Sequence, residues 1–323
     1  MNSELGKFIR ENDNFLLLTH EKPDGDALGS IFGLFKVLRE NGKKVDAYLT
    51  DQVPSRYSSF VPEGIIFGKL PPLERYSWII CLDISTPERI GVGKESRGNV
   101  LGMPLVNIDH HPDNKLFGKT NFVESGSSAT SEIIFNIISK ATGMKISSDA
   151  ATYLLMGIVM DTGGFRFENT KSSTLVTASE LMVLKADYSR IITAMFFSQP
   201  LNIVKMEAEV VSRHMKTEFS GRYAWAYVSD EILKEHGVEK KDTETVIDQI
   251  RQIHGVEIAI VIYRKDDGFK ISLRSKDIRY PVAKIARALG GGGHELAAGA
   301  FIKTAEIAEV EKILLDHVGR LLL

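Results

Sequence analysis

Residues 15–30 of the chain are FLLLTHEKPDGDALGS, in which an apolar run is followed by a histidine and two aspartates. A compact apolar run bounded by polar residues is typical of a strand buried on both faces of a parallel sheet. Residues 26–42 place apolar side chains at helical spacing and end at a glycine, so they predict a helix. The segment therefore predicts a strand that leads directly into a helix, with His20, Asp24 and Asp26 at the junction.

The same alternation continues through the first 185 residues. Three further compact apolar runs predict strands, at residues 45–50, 78–83 and 104–109. Three more stretches predict helices, at residues 127–143, 147–161 and 172–187. Strands that alternate with helices predict an α/β domain with a doubly wound parallel sheet, and such domains bind ligands beyond the carboxyl ends of their strands.

The pattern changes after residues 188–216, which predict a helical connector. Alternating apolar residues then predict half-buried strands at 223–229, 256–267 and 269–275. The sequence from residue 278 onward predicts a helix that stops at a run of four glycines. We therefore predict two domains, a larger one at 1–187 and a smaller α/β domain at 217–323, joined by a helical linker.

The composition is that of a globular protein, with 43% hydrophobic and 25% charged residues. No window approaches the roughly 18 apolar residues of a membrane span, and the first residues lack the pattern of a secretion signal. The single cysteine, Cys81, excludes an internal disulfide and a cysteine-based zinc cage. Its apolar neighbours predict a buried, unreactive thiol. These features predict a cytoplasmic protein without membrane partners.

Charge is distributed unevenly along the chain. The net charge of −2 argues against binding of long duplex nucleic acid. Residues 251–290, however, contain nine Lys or Arg residues and only four Asp or Glu residues. A local basic surface of this kind suits a small anionic ligand better than a long duplex.

Acidic and imidazole residues fall at the ends of the predicted buried elements of the first domain. The set comprises His20, Asp24, Asp26, Asp83, Asp109, His110, His111 and Asp161. Because each lies at the end of a strand or helix, we expect the side chains to meet in one crevice, where they repel one another unless cations hold them. Ligation by many oxygens and few imidazoles suits Mn²⁺ or Mg²⁺, and Mn²⁺ accepts imidazole more readily. The cluster predicts a two-metal centre that acts on phosphoryl groups.

Each of these residues alone has a simpler interpretation. Asp26 alone would be a helix-capping residue, and His20 alone a hydrogen-bonded structural histidine. Arg89, which follows Asp83 by six residues, suits either a role in the crevice or a surface salt bridge. Metal binding is favoured only by the combination of four clusters, all at the ends of predicted elements.

In combination and order, these motifs resemble those of the DHH phosphoesterases. The resemblance is carried by His20-x-x-x-Asp24-x-Asp26, the isolated Asp83, the Asp109-His110-His111 triplet and Asp161 in DTGGF. The later sequence GGGGHELAAG resembles the glycine-rich signature of the domain that accompanies them, so the resemblance covers nearly the whole chain. The short architecture is similar to that of bacterial enzymes that degrade nanoRNA and dephosphorylate 3′-phosphoadenosine 5′-phosphate. It also resembles phosphodiesterases of cyclic di-AMP and linear diadenylate.

The resemblance implies one ion held by His20, Asp24 and Asp83, and a second held by Asp26, Asp83, His110 and Asp161. Asp83 would bridge the two ions, which are expected to be Mn²⁺, with Mg²⁺ or Co²⁺ as substitutes. His111 would face the substrate phosphate as a proton or hydrogen-bond donor, and Asp109 would orient a histidine. Spacing alone does not distinguish His110 from His111 as the metal ligand.

The second domain contains the candidates for substrate binding, Arg274, Ser275, Gly291, Gly292, Gly293 and His294. Consecutive glycines before a helix expose backbone N–H groups to phosphate. The guanidinium group of Arg274 suits bidentate contact with a phosphate. Three nearby cations are interpreted instead as a solvated helix face, Arg279, Lys284 and Arg287.

The leading functional hypothesis is hydrolysis of oligoribonucleotides of two to about five residues to 5′-mononucleotides, with 3′-phosphoadenosine 5′-phosphate as a second substrate. A basic stripe rich in aromatic residues is lacking, which argues against a processive single-strand exonuclease of the RecJ type. The alternatives are a cyclic di-AMP or linear diadenylate phosphodiesterase, a manganese pyrophosphatase of the same superfamily, and a nucleotide sensor without turnover. Cleavage polarity, base preference and oligomeric state stay open, with a homodimer as one option.

Overall fold

The structure is a computed structural model that describes residues 2–243 and 245–322. By its internal contacts the chain divides into two compact units, one that ends at Ser198 and one that begins at Gln199. The predicted connector 188–216 therefore contributes to both units, because the division falls inside it.

The first unit is built on a six-stranded sheet whose paired strands are all parallel. Its strands are β1 (Phe15–Leu18), β2 (Val45–Leu49), β3 (Ile65–Phe67), β4 (Trp78–Leu82), β5 (Leu105–Asp109) and β6 (Thr120–Val123). Their spatial order is β3-β2-β1-β4-β5-β6, so the strand order reverses between β1 and β4. Such a reversal opens a crevice at the carboxyl ends of the strands. The predicted doubly wound parallel sheet is confirmed.

Helices accompany this sheet and supply the rest of its core. They are α1 (Asn2–Glu11), α2 (Gly25–Glu40), α3 (Lys94–Leu101), α4 (Thr130–Ile137), α5 (Ser148–Asp161), α6 (Ser172–Val183) and α7 (Tyr188–Phe196). Strand residues such as Leu17 and Ile80 are fully buried and belong to one apolar cluster with the helices. Helix α2 begins at a side-chain cap, because Asp24 Oδ1 accepts hydrogen bonds from the N–H groups of Asp26 and Ala27, both at 3.1 Å.

Helices α2 and α5 approach each other closely because glycine lies between them. A Cβ atom on Gly29 would lie 2.6 Å from the backbone nitrogen of Gly157 and 2.7 Å from the carbonyl oxygen of Tyr153. A side chain at this position therefore requires the helix backbones to move apart. The contact holds the first turns of α2, which include Asp26, against the helix that ends at Asp161.

The second unit contains a six-stranded sheet of mixed direction, in the order β11-β12-β10-β9-β8-β7. Its strands are β7 (Met215–Glu218), β8 (Tyr223–Val228), β9 (Ile258–Lys265), β10 (Gly268–Ser275), β11 (Gly292–His294) and β12 (Ala297–Ile302). Its helices are α8 (Leu201–Glu209), α9 (Asp230–His236), α10 (Val246–Arg251), α11 (Val282–Ala288) and α12 (Ile307–Leu322). The predicted α/β class of this smaller domain is confirmed. Among the residues described, no helix is both long enough and apolar enough to cross a membrane.

Several element predictions need correction. The predicted helix 172–187 ends at Val183, and a separate helix, α7, starts at Tyr188. The strands β3 and β6 and the helix α3 were not predicted, because β3 has three residues and the other two are largely polar. The terminal helices α1 and α12 were also not predicted, although both have a periodic apolar pattern.

The prediction that the glycine run precedes a helix is wrong. After α11 the chain enters β11, an edge strand that pairs antiparallel with β12. A Cβ atom on Gly293 would lie 2.6 Å from the carbonyl oxygen of Ala297, and Gly293 has a φ of +130°. Side chains disfavour that backbone conformation. The glycines therefore allow a close hairpin with β12.

We expect the substitution Gly29→Ala to lower the free energy of unfolding by about 1–3 kcal/mol, because the added methyl group overpacks the contact between α2 and α5. The matched control is Gly98→Ala in α3, where a Cβ atom would meet nothing within 4 Å. This control should leave stability unchanged or raise it by up to about 1 kcal/mol. Urea unfolding measures both variants. A Gly29→Ala protein as stable as the wild type would show that the helices separate without cost.

Candidate metal centre and substrate-binding residues

The structure brings the predicted acidic and imidazole residues of the first unit together at the carboxyl ends of the sheet. His20 follows β1, Asp83 follows β4 and Asp109 ends β5, so three adjacent strands supply them. Asp26 lies in the first turn of α2, and Asp161 is the last residue of α5. The cluster thus lies where the strand order reverses, the position at which doubly wound folds bind ligands.

Asp83 lies at the centre of the cluster. Its carboxylate is 3.8 Å from His20 Nε2, 3.6 Å from His110 Nε2 and 3.5 Å from His111 Nδ1. Three groups of potential ligand atoms, each within 4.8 Å of one another, share this carboxylate: His20, Asp24 and Asp83; Asp26, Asp83 and His110; and Asp83, Asp109 and His111. Asp83 is thus the residue that these groups have in common, and a cluster of carboxylates and imidazoles of this kind suits divalent cations.

Asp83 has an unfavourable backbone conformation, and its carboxyl group is buried among other carboxylates. Its φ of 61° is a left-handed conformation, which costs a residue other than glycine of the order of 1–3 kcal/mol and is found most often at functional sites. Burial raises the pKa of Asp83 well above its usual value, and the neighbouring charges of Asp26, Asp24, Asp109 and Asp161 add to the effect. A bound cation would offset the repulsion between these carboxylates.

Two histidines direct a ring nitrogen into the cluster. His20 Nδ1 donates to the carbonyl oxygen of Glu21 at 2.8 Å, so the lone pair is on Nε2. That buried Nε2 atom has no hydrogen-bond partner in the described part of the chain, which a protein core rarely tolerates. His110 Nδ1 faces the carbonyl oxygen of Ser127 at 3.4 Å, and its Nε2 lies 3.7 Å from Asp161. This donor set fits a divalent cation.

His111 is held in a different way. Its Nδ1 donates to Asp109 Oδ1 at 2.8 Å, while the amide of Asn114 donates to the other carboxylate oxygen. Burial acts to raise the pKa of Asp109, but the hydrogen bonds from His111 and Asn114 outweigh it and lower the pKa to about 2. Asp109 therefore stays charged and fixes the proton of His111 on Nδ1, which directs Nε2 away from it. Asn114 was not selected from the sequence.

Residues 127–131, which the sequence analysis did not select, contact several members of the cluster. The backbone N–H groups of Thr130 and Ser131 donate to the carboxylate of Asp26 at 2.6 and 3.0 Å. The hydroxyl of Thr130 donates to Asp83 at 3.1 Å. Because α4 begins at Thr130, these N–H groups have no partner within the helix and lie at its positive end. We call residues 127–131 the clamp segment.

Asn169 also contacts the cluster, although no sequence pattern marks it as a site residue. Its side-chain amide donates to the backbone carbonyl of Asp161 at 3.1 Å and to the carboxylate of Asp161 at 3.3 Å. The same amide donates to the carbonyl oxygen of Ser128 at 3.1 Å. Asn169 therefore connects Asp161 to the clamp segment.

Two further sequence predictions concern this unit. Arg89 has an exposed side chain. The pKa of Asp24 is lowered although burial acts to raise it, mainly through the neighbouring His20 and to a smaller degree through the charge of Arg89. Arg89 therefore lies close enough to the cluster for its charge to favour the ionised form of Asp24. Cys81 is buried in β4, and burial raises the pKa of its thiol, as expected for an unreactive core cysteine.

In the second unit, Arg274 and Ser275 are consecutive strand residues and so face opposite sides of the sheet. The side chain of Arg274 is partly exposed, whereas Ser275 is buried. The hydroxyl of Ser275 donates to the carbonyl oxygen of Asp277 at 3.0 Å and accepts from its N–H at 3.2 Å. Ser275 therefore stabilises the turn after β10.

Arg274 and His294 lie on the same face of this sheet. Both are cross-strand partners of Ala297, one in β10 and the other in β11. Partners in adjacent strands point to the same face, so the two side chains are directed alike. Strand β11 is at the edge of the sheet, where backbone groups face outward. The cations interpreted as solvated are exposed, and Arg279 and Arg287 form surface ion pairs.

Comparisons with known proteins identify the class to which this fold and cluster belong. Residues 14–158 match the family model described as DHH family, N-terminal domain, and residues 220–320 match the DHHA1 domain. The chain belongs to the DHH family, and the resemblance stated from its motifs is confirmed.

The relatives include the bifunctional oligoribonuclease and PAP phosphatase NrnA of Thermus thermophilus, which is 31% identical and aligns over 94% of this chain and 88% of its own length. NrnA of Bacillus subtilis is 29% identical and aligns over 98% of this chain and 97% of its own length. The cyclic-di-AMP phosphodiesterase GdpP of Geobacillus thermodenitrificans is 28% identical over 97% of this chain and 48% of its own length.

Among solved structures, an exopolyphosphatase-related protein from Bacteroides fragilis has the same fold, with a TM-score of 0.86 and 24% identity over 99% of this chain and 95% of that chain. RecJ of Thermus thermophilus, solved in complex with Mn²⁺, shares the fold at a TM-score of 0.57 and 11% identity. That match covers 99% of this chain and 54% of RecJ.

We expect the substitution Asp83→Ala to abolish turnover and to lower the bound metal measured by elemental analysis, because the carboxylate is common to three groups of potential ligand atoms. The control is Asp51→Ala, which removes an exposed aspartate of the same unit and should leave metal content unchanged. Normal metal content and activity in the Asp83→Ala protein would show that Asp83 is only a polar residue at the end of a strand.

Proposed function

We propose that this protein is a metal-dependent phosphodiesterase that hydrolyses oligoribonucleotides of two to about five nucleotides to 5′-mononucleotides. We include 3′-phosphoadenosine 5′-phosphate as a second substrate. The proposal depends above all on the position of Asp83, whose carboxylate is common to three groups of potential metal ligands. The substrate class is supported by relatives named oligoribonuclease and PAP phosphatase, at 31% and 29% identity over nearly the whole chain.

The proposed centre holds two Mn²⁺ ions, with Mg²⁺ or Co²⁺ as substitutes. Their ligands are His20, Asp24 and Asp83 for one ion, and Asp26, Asp83, His110 and Asp161 for the other. Mn²⁺ is favoured over Mg²⁺ because each position includes an imidazole nitrogen. Divalent cations at such a centre supply Lewis-acid activation of the phosphoryl group and of the attacking water.

His111 is the residue proposed to donate a hydrogen bond or proton to the substrate. Its Nδ1 proton is fixed by Asp109 at 2.8 Å, so its Nε2 is the atom available to a phosphoryl or leaving oxygen. Asp109 holds the tautomer and stabilises the ring when it carries a second proton. The roles of His110 as ligand and His111 as donor are supported by their different partners. His110 Nε2 lies 3.9 Å from Asp26, 3.6 Å from Asp83 and 3.7 Å from Asp161, whereas His111 Nδ1 is hydrogen-bonded to Asp109.

Substrate binding is proposed for Arg274, His294 and the glycines at residues 291–293. Support comes from the shared face of Arg274 and His294 and from the edge position of β11, since an edge strand has backbone groups that face away from its one partner strand. The N–H of Gly291 is not among them, because it donates to the carbonyl oxygen of Ala286 at 2.7 Å. The hydroxyl of Ser275 is bonded within its own turn, so an indirect role through the position of Arg274 suits it better than contact with the substrate.

A cyclic di-AMP or linear diadenylate phosphodiesterase is the second candidate. The observation in its favour is the 28% identity to the relative named cyclic-di-AMP phosphodiesterase GdpP, which extends over 97% of this chain. The two candidates share a metal centre and differ in the nucleotide that the protein accepts. Only a direct comparison of substrates separates them.

Metal removal and a substrate series test both parts of the proposal. Exhaustive EDTA treatment should abolish activity, and Mn²⁺ should restore more of it than Mg²⁺ does. With Mn²⁺ present, kcat/KM should be highest on a ladder of di- to pentaribonucleotides, compared with cyclic di-AMP, linear diadenylate and 3′-phosphoadenosine 5′-phosphate. Undiminished activity after EDTA treatment contradicts the metal centre. A preference for cyclic di-AMP would instead favour the second candidate.

Arg274→Ala and His294→Ala should each lower kcat/KM for dinucleotides by roughly ten- to a hundred-fold, since a charge-assisted phosphate contact contributes about 1.5–3 kcal/mol. Metal content should stay normal. The loss should be smaller for bis-p-nitrophenyl phosphate, which depends mainly on the metal centre. Arg279→Ala, which removes an exposed and ion-paired arginine of the same unit, is the control. Equal losses on both substrates would place the residues in the catalytic centre.

A further inference from the structure

Glu132 is a buried carboxyl residue that belongs to neither the proposed metal ligands nor the substrate-binding residues. Only 2% of it is exposed. One of its oxygens, Oε2, accepts three hydrogen bonds: from the N–H of Ser128 at 2.9 Å, from the hydroxyl of Ser128 at 2.6 Å and from the hydroxyl of Thr174 at 3.3 Å. Glu132 therefore attaches the clamp segment to helix α6, which begins at Ser172.

The clamp segment reaches four of the proposed metal ligands over five residues. Thr130 and Ser131 donate to Asp26 and Asp83, and the carbonyl oxygen of Ser127 faces His110 Nδ1. Asp161 is reached indirectly, because the carbonyl oxygen of Ser128 accepts from Asn169, which also donates to Asp161. Ser128, Thr130 and Ser131 are fully buried. A displacement of this segment would therefore move hydrogen-bond donors away from Asp26 and Asp83 and acceptors away from His110 and Asn169.

We propose that Glu132 is a positioning residue for the metal centre, which it supports by fixing Ser128 and with it the clamp segment. The inference rests on the proposed function, because the ligands concerned are those of the proposed centre. The carboxylates of Asp26 and Asp83 repel each other. The Thr130 and Ser131 groups that donate to them must therefore be held in position by residues outside the cluster. Partners that orient metal ligands typically change metal affinity by about 10–100-fold when they are removed.

The alternative role for Glu132 is to stabilise the first turn of α4 without effect on the metal. The two roles differ in whether Mn²⁺ affinity falls when these hydrogen bonds are lost, and glutamine is the conservative variant that keeps them. Because all three donors meet a single oxygen of Glu132, the amide carbonyl of a glutamine can accept the same hydrogen bonds. Alanine cannot accept them and leaves the Ser128 N–H and two hydroxyls without their acceptor.

The test is calorimetric titration of Mn²⁺ into the metal-free full-length protein. We expect Glu132→Ala to raise the apparent Kd for Mn²⁺ about 10–100-fold, and Glu132→Gln to stay close to the wild type. At saturating Mn²⁺, the KM for a dinucleotide should be unchanged in both. The matched control is Glu207, a glutamate of the second unit that is 4% exposed and accepts from Gln199 and the hydroxyl of Thr245. Glu207→Ala should lower the unfolding temperature without changing Mn²⁺ affinity.

An unchanged Kd in Glu132→Ala overturns the inference, and so does an equal loss of affinity in Glu207→Ala. If Glu132→Ala does not fold, Ser128→Ala and Thr174→Val each remove one donor to the same oxygen. Weaker Mn²⁺ binding in these two variants supports the inference, and wild-type binding in both overturns it. A wild-type protein that binds no Mn²⁺ contradicts the proposed metal centre itself, a result distinct from failure of the Glu132 variants alone.

Discussion

The structure of the first unit depends on one electrostatic constraint, the burial of several carboxylates around Asp83 at the ends of parallel strands. Burial raises the pKa of Asp26 as well as that of Asp83, so their charged forms cost free energy unless hydrogen bonds or cations compensate. The chain supplies the hydrogen bonds from the first N–H groups of α4. Among the described residues, the buried Nε2 of His20 has no hydrogen-bond partner. A bound cation would be a partner for its lone pair.

The packing of α2 against α5 and the position of the Asp26 carboxylate both depend on a glycine in α5. A Cβ atom on Gly157 in α5 would meet the side chain of Ser131 and would lie 2.8 Å from the carboxylate of Asp26. The same residue lies opposite Gly29 in α2, on which a Cβ atom would lie 2.6 Å from the backbone nitrogen of Gly157. The absence of a side chain at one position therefore lets two helices pack and leaves room for the carboxylate and its donors. A close-packed interior transmits small displacements, so substitutions in this core reach the cluster.

The sequence predicts the parts of this molecule that have a regular pattern. Buried strands and the charged residues directly after them, such as Asp83 after WIICL, are recognisable because an apolar run and a polar end coincide. Asn114, Asn169 and Glu132 have no such signal, since their roles arise from partners distant in the sequence or from burial that a loop sequence does not reveal. The glycine run is ambiguous for a related reason, because glycine permits both a helix stop and a close hairpin.

Relatives with different substrates in their names align with nearly the whole of this chain. Relatives named oligoribonuclease and PAP phosphatase, and one named cyclic-di-AMP phosphodiesterase, match nearly the whole of this chain. A metal centre stabilises a phosphoryl transition state in all of these substrates, so it contributes little to the difference between them. That difference requires contacts that one nucleotide satisfies and another does not, such as a terminal phosphate that linear but not cyclic dinucleotides offer. In the second unit, Arg274 and His294 share a face beside an edge strand, and this is where we propose such a contact.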